Sequence, residues 1–283
     1  KPPKAAPRKE NRREEFDLPE IKKLLEVLPT QRDRALVLFG LQGGFDVGTV
    51  TSLNLGDLQD KNLQPLLRGE MPDTPVLLRV VREKEGVDYE TCLGRDAVEV
   101  LRLYLAERKR RGEELNLDSP LFGKEGIGKR TGERATPHLV QIMLRKAVID
   151  AGIVTEERLQ RADINVYGYH ALRGTFSKRL DHAGMPVNYI NYMQGHRLQY
   201  NGAYTRPSQG KLLGLYKEFE PVLSVGGASG AGREIDAKVE RLEKSLARRD
   251  YQVSGMEGRL AFVEKLLQEH GGIYPEEIDI QIQ

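Results

Sequence analysis

The chain has 283 residues, is 39% apolar and 30% charged, and carries a formal net charge of +2 and a single cysteine. That length can bury one sizeable core or two small ones, and the lone Cys92 rules out an intrachain disulfide and suits a reducing, cytoplasmic interior. No apolar run approaches the roughly 18 residues of a membrane span, no signal-peptide segment opens the chain, and no ligand pair among Cys92 and the histidines has metal-binding spacing, so no cofactor is expected.

The charge is unevenly spread. Residues 1–13 hold six Lys or Arg against one Glu, and residues 233–283 hold eight basic against eleven acidic residues, which leaves 14–232 balanced at thirty each. Any contact with a polyanion in that middle region would therefore have to come from local clusters and not from a global field. Candidates are Arg108 to Arg111, Lys129-Arg130 with Arg134, Arg145-Lys146 and Lys178-Arg179; without context each reads as a solvated helix face. The chain opens at Lys1 without a methionine, as a fragment or processed product would.

Residues 1–13 are basic and Pro-rich with nothing to bury, the composition of an extended arm or linker. From 14 to about 223 the pattern predicts one mainly helical domain with a small antiparallel sheet. Asp17-Leu18-Pro19-Glu20 starts a first helix, with Asp17 as cap, Pro19 in the first turn and Ile21, Leu24, Leu25 and Leu28 as its apolar stripe. A second helix runs from Thr30 to Gly43, and a third from Val47 to the turn at Asn54–Asp57. Leu77 to Leu93 breaks the helical rhythm and reads as a β-hairpin, with Glu83-Lys84-Glu85-Gly86 as its turn. Helix returns at Asp96–Arg111 and, after a Gly-rich loop at 123–132, at Thr136–Ala151, Tyr169–Gly184 and Val187–Gln194.

Residues 224–232 form a Gly-rich linker. Beyond it, Ile235, Val239, Leu242, Leu246, Arg249, Val253, Met256, Leu260, Val263 and Leu267 alternate steps of four and three. That register predicts a coiled-coil helix over 233–270, roughly 50 Å long at about 1.5 Å per residue, followed by a tail at 271–283. Arg249 is its one polar seam residue, and Gly255 and Gly258 weaken it. An intrachain helical hairpin or a helix docked on the domain fits the same pattern; self-association into a homo-oligomer is the expectation taken here.

The most informative stretch is Tyr169-His170-Ala171-Leu172-Arg173, then Gly195-His196, then Ala203-Tyr204-Thr205-Arg206-Pro207. His170 and Arg173 are three apart and share a helix face. A phosphodiester resists attack, so a site that breaks it needs a nucleophile, cations for the developing charge and an acid for the leaving oxygen. Two imidazoles, a guanidinium and a phenol meet that need, and Arg suits the phosphate because its planar fork bonds two oxygens at once.

This order and spacing resemble the catalytic domain of tyrosine recombinases, the phage-integrase family, over roughly Glu14 to Leu223, with the specific match in 169–207. The resemblance implies that Tyr204 is the nucleophile, Arg173 the phosphate clamp, and His170 and His196 its partners. Tyr200, Tyr192 and Tyr189 are rivals to Tyr204 in the same stretch. It also implies that Lys84 at the hairpin turn protonates the leaving 5′ oxygen. The implied activity is site-specific breaking and rejoining of double-stranded DNA through a 3′-phosphotyrosine. The residues depart from the family at one place. Its first arginine lies in a stretch resembling G-L-R-x-S-E-L; here Gly44-Phe45-Asp46-Val47-Gly48-Thr49-Val50 puts Asp46 where the arginine belongs and Thr49 where the glutamate belongs. Arg32, Arg34 and Arg68 are candidate substitutes for the missing cation. The competing reading is a cleavage-deficient DNA-binding protein of the same fold that oligomerises through its C-terminal helix; a type IB topoisomerase shares the chemistry.

Overall fold

The structure is a computed structural model and describes residues 14–82, 86–125, 132–162, 166–196 and 207–226. The basic arm, most of the Gly-rich linker and the coiled-coil heptads lie outside these residues, as do Lys129 and Arg130. Among the described residues no helix is long and apolar enough to cross a membrane.

The first helix, α1 (Leu18–Val27), begins as its sequence dictates. The Glu20 N–H donates to Asp17 Oδ1 at 2.7 Å, and the Asp17 N–H donates to Glu20 Oε2 at 2.9 Å, a reciprocal capping box. Helix α2 (Gln31–Gly43), capped by Thr30, is buried on nearly every side. That burial matches its apolar run from Ala35 to Leu41, the signature of a helix at the centre of a core. Helix α3 (Val47–Ser52) follows directly. Helix α4 (Asp60–Arg68) was not foreseen, because Pro65 in its interior removes a donor and reads as a break. Burial of Leu63 and Leu66 holds it in place regardless.

Strands β1 (Val76–Arg82) and β2 (Val87–Leu93) pair antiparallel, from Val76 opposite Leu93 to Arg82 opposite Val87. Alternation along the hairpin gives it two different faces. Tyr89 and Thr91 look one way, where Thr91 Oγ1 donates to the Gly43 carbonyl at 2.8 Å. Glu90 and Cys92 look the other way. The remaining helices are α5 (Arg95–Arg110), α6 (Pro137–Asp150), α7 (Glu156–Arg161), α8 (Tyr169–His182), α9 (Val187–Met193) and α10 (Gln209–Phe219). Helix α2 packs against both α5 and α8, β2 lies against α2 and α9, and α10 meets β1.

Several charged side chains proposed for DNA contact are spent inside the fold. Arg108 is 2% exposed; it donates to Glu113 at 2.8 Å and to the Pro120 carbonyl at 2.7 Å. Arg134 donates to the carbonyls of Thr51 and Leu53 at 2.8 and 2.9 Å, and also to Asn54 Oδ1. Lys109 bonds the Leu67 carbonyl, Arg179 the Val222 carbonyl, and Lys178 pairs with Glu15. These groups tie segments distant in sequence, while Arg110 and Lys146 stay exposed.

A second polar node fixes the end of the described chain. Buried Gln42 donates through Nε2 to Asp96 Oδ2 and to the Leu223 carbonyl, while its Oε1 accepts from the Ala97 N–H at 3.0 Å. Asp96 Oδ2 also accepts from Ser224 Oγ at 2.9 Å and from the Val225 N–H at 2.8 Å.

Candidate active site

Helix α8 is set by its first residue. Tyr169 is fully buried, and its hydroxyl donates to the Leu36 carbonyl at 2.6 Å. Burial raises its pKa well above the ordinary phenol value, and the nearby Asp46 carboxylate adds to the rise. From this anchor His170 lies on the exposed side of the helix. One turn later Arg173 enters the interior, 3% exposed.

The guanidinium of Arg173 is gripped by backbone. Nη1 donates to the Gly44 carbonyl and Nη2 to the Gln194 carbonyl, both at 2.6 Å. Nη2 also lies 3.0 Å from His196 Nε2. Gln194, 3% exposed, returns a bond from its own Nε2 to the Arg173 carbonyl at 3.0 Å. His196 Nδ1 is 3.2 Å from Asn191 Oδ1. Charge-assisted bonds of this kind are among the stronger ones, so the cation is held in place before any ligand arrives.

Two glycines make the approach possible. Gly44 has φ of +65° and Gly195 has φ of +63°, a region that side chains rarely adopt. A Cβ on Gly44 would meet the Phe176 ring at 2.7 Å, and one on Gly195 would meet the Tyr89 ring at 2.7 Å. The left-handed turn at Gly195 folds His196 back onto α9, where its N–H donates to the Asn191 carbonyl at 3.0 Å.

Asp46 is the N-cap of α3. Its Oδ1 accepts from the Thr49 N–H and its Oδ2 from Thr49 Oγ1, both at 2.9 Å. The family's Arg and Glu positions are thus occupied by a capping pair. None of the three proposed substitute cations is committed to this place. Arg32, near the start of the 13-residue α2, pairs with Asp33 at 2.6 Å, close to 20 Å of helix from Gly44. Arg34 donates to the Leu25 carbonyl at 3.1 Å and Arg68 pairs with Glu70 at 2.9 Å.

Of the residues singled out in the sequence, the fold brings Arg173 and His196 together, and Asp46 is two positions from Gly44, whose carbonyl grips Arg173. Sequence reasoning missed Asn191 and Gln194. Gln194 carried one signal, a polar residue among the apolar positions just ahead of Gly195-His196. Tyr204 and Lys84 lie outside the described residues. Of the rival tyrosines, Tyr192 is buried and Tyr189 lies under Lys211, whose Nζ is 5.5 Å from the ring centroid. Among the described residues no group of three or more His, Cys, Asp or Glu could hold a metal ion.

The chain belongs to the phage integrase family, whose sequence profile matches residues 14–209. No curated protein matches it. Solved structures similar to it include XerA recombinase, with TM-score 0.48 and 21% identity, covering 77% of this chain and 66% of that one. Another is a lambda integrase(75-356) dimer bound to a COC′ core site, with TM-score 0.47, 15% identity and coverage of 70% and 64%. A third is the integrase from mycobacterium phage Brujita, with TM-score 0.48, 17% identity and coverage of 80% and 61%. This chain spans 61% to 66% of the length of these three.

Proposed function

We propose that this chain is the catalytic domain of a site-specific DNA recombinase that breaks and rejoins double-stranded DNA through a 3′-phosphotyrosine. The observation that carries the reading is the pairing of Arg173 with His196 at 3.0 Å, on a guanidinium fixed by two carbonyls. In the proposed reaction the Tyr204 hydroxyl gives its proton to the His170 imidazole as its oxygen attacks phosphorus, and the bond to the 5′ oxygen breaks. That oxygen takes a proton from Lys84. Arg173 and His196 stabilise the charge on the non-bridging oxygens, with His170 on the same helix. Attack by a 5′ hydroxyl of another strand then reverses the step and releases Tyr204. Bond energy is stored in the covalent intermediate, so the scheme invokes neither nucleotide nor metal. The ends of segment 197–206 support a site that includes Tyr204. Gly195 abuts Tyr89 of β2, and Gln209 at the start of α10 donates to Glu90 of the same strand at 2.6 Å.

The test uses a pool of labelled duplexes, each nicked beside a randomised core, so that the released fragment diffuses away and the covalent complex accumulates. A protein–DNA adduct that survives denaturation, and disappears in Tyr204→Phe, is the expected result. No adduct under any sequence refutes the reading.

Asp46 favours a second reading, a DNA-binding protein of this fold that no longer cleaves. A carboxylate beside the phosphate site removes a donor and adds repulsion. Retention of duplex without adduct, with self-association lost when residues 233–283 are removed, is the outcome that selects it.

A further inference from the structure

The imidazole of His196 is held from both ends. Arg173 Nη2 lies 3.0 Å from Nε2, and Asn191 Oδ1 lies 3.2 Å from Nδ1. A guanidinium has only donors and keeps its protons at any ordinary pH. The ring must therefore present a lone pair at Nε2. A neutral imidazole has one N–H, so the proton sits on Nδ1. The group facing Nδ1 must then be an acceptor, which fixes Asn191 with its carbonyl, and not its NH2, toward the ring. Each assignment forces the next.

We propose that Asn191 is a positioning residue that fixes His196 as the Nδ1–H tautomer, with Nε2 aimed at the Arg173 guanidinium where a phosphate oxygen enters. Asn191 acts through the ring. It grips His196 twice, since its backbone carbonyl also accepts the His196 N–H at 3.0 Å. Its side-chain bond to Nδ1 is the same whether Nε2 is bare or protonated. One orientation therefore serves the DNA-free site, where Nε2 accepts from Arg173, and the loaded site, where a protonated Nε2 donates to phosphate beside it. An isolated neutral histidine favours the other tautomer, so the arrangement has to be imposed. The role toward phosphate rests on the recombinase reading, while the tautomer rests on the contacts of the ring alone.

The experiment is long-range proton–nitrogen correlation NMR on the full chain, labelled with 15N-histidine and free of DNA, roughly two pH units above the ordinary imidazole value near 6.5. His196→Gln identifies the signal among the five histidines. Wild type is expected to show Nδ1 protonated and Nε2 bare. Asn191→Leu is expected to shift the ring toward Nε2–H, and Asn191→Asp, which keeps an acceptor, to leave Nδ1 protonated. In single-turnover adduct formation Asn191→Leu is expected to be slower by about 10- to 100-fold with DNA retention unchanged, and Asn191→Asp to recover most of the rate. A wild-type ring protonated mainly on Nε2, or a tautomer indifferent to Asn191→Leu, overturns the proposal. If Asn191→Leu does not fold, the wild-type and Asn191→Asp spectra decide. Absence of any adduct in wild type counts against the recombinase reading and leaves the tautomer result standing.

Discussion

Asp46→Arg places the family's cation where this chain carries an anion, and the structure sets the size of both effects. Asp46 caps α3 through two bonds of 2.9 Å to Thr49. Losing an N-cap of this kind costs about 1 kcal/mol, and a cation at a helix N-terminus adds about 0.5 kcal/mol. For a domain of this size that total lowers the melting temperature by roughly 3–6 °C. The chemistry moves the other way. Asp46 is two residues from Gly44, at most about 7 Å along the chain, and Gly44 grips Arg173 at 2.6 Å. A carboxylate at residue 46 and a phosphate bound at Arg173, if about 7 Å apart, repel by roughly 2 kcal/mol at an effective dielectric near 20. Asp46→Asn keeps a capping oxygen and should speed cleavage by up to about 30-fold through that term alone. Asp46→Arg also adds a donor, worth on the order of 10²–10³ in rate. Adding Thr49→Glu restores the family's pair. The assay is single-turnover adduct formation on nicked duplex, alongside thermal melting. A folded Asp46→Arg protein that cleaves no faster than wild type, with Asp46→Asn equally silent, would refute the placement of residue 46 beside the phosphate.

Gly195→Ala should destabilise by about 2–4 kcal/mol and suppress adduct formation, since strain at positive φ adds to a Cβ 2.7 Å from the Tyr89 ring. Gly69→Ala, at φ of +81° with nothing within 4 Å, should cost only about 1 kcal/mol and leave cleavage intact; equal effects would show that contact at Tyr89 is irrelevant. Arg134→Ala strips donors from Thr51, Leu53 and Asn54. It should lower stability by about 2–3 kcal/mol in a denaturant titration, while the folded fraction keeps wild-type affinity for DNA. Burial pushes the Cys92 thiol up, with Glu90 and Glu220 adding to it, and burial likewise raises Tyr169 and Tyr216. The native state then holds protons that the unfolded chain has released, so stability falls as pH rises above about 8.5, and further above about 10 where unfolded tyrosines ionise. Urea midpoints measured across that range should drop, and Cys92→Ala should remove the first part of the decline.

Much of the scaffold could be read from the residues because its signals are local. Asp17 with Glu20, Thr30 and Thr136 mark helix starts by side-chain chemistry alone, and alternation with a Gly-bearing turn marks the hairpin. Helix α4 failed that reading since long-range burial of Leu63 and Leu66 overrides a local break at Pro65. Helix α7 is six residues long, too short to show a period. The basic clusters could not be sorted by sequence for a related reason. Whether Arg108 or Arg134 faces solvent depends on carbonyls contributed by other segments. At the site, spacing and resemblance led to Arg173, His196 and Asp46. Asn191 matters through a ring nitrogen it reaches only once Gly195 turns the chain back, and no periodicity reports that.

The Gln42–Asp96 node has a mechanical meaning. Asp96 receives Ser224 and Val225 directly, and Gln42 holds Leu223, so the chain leaves the domain from a clamped exit point. Tension applied beyond Gly226 meets α2 and α5 through these bonds, and α10 shares the node because the Tyr216 hydroxyl donates to the Gln42 carbonyl at 2.8 Å. A pull on the tail is thus shared among three helices at one place in the core, much as a cord grip spares the terminals of a plug.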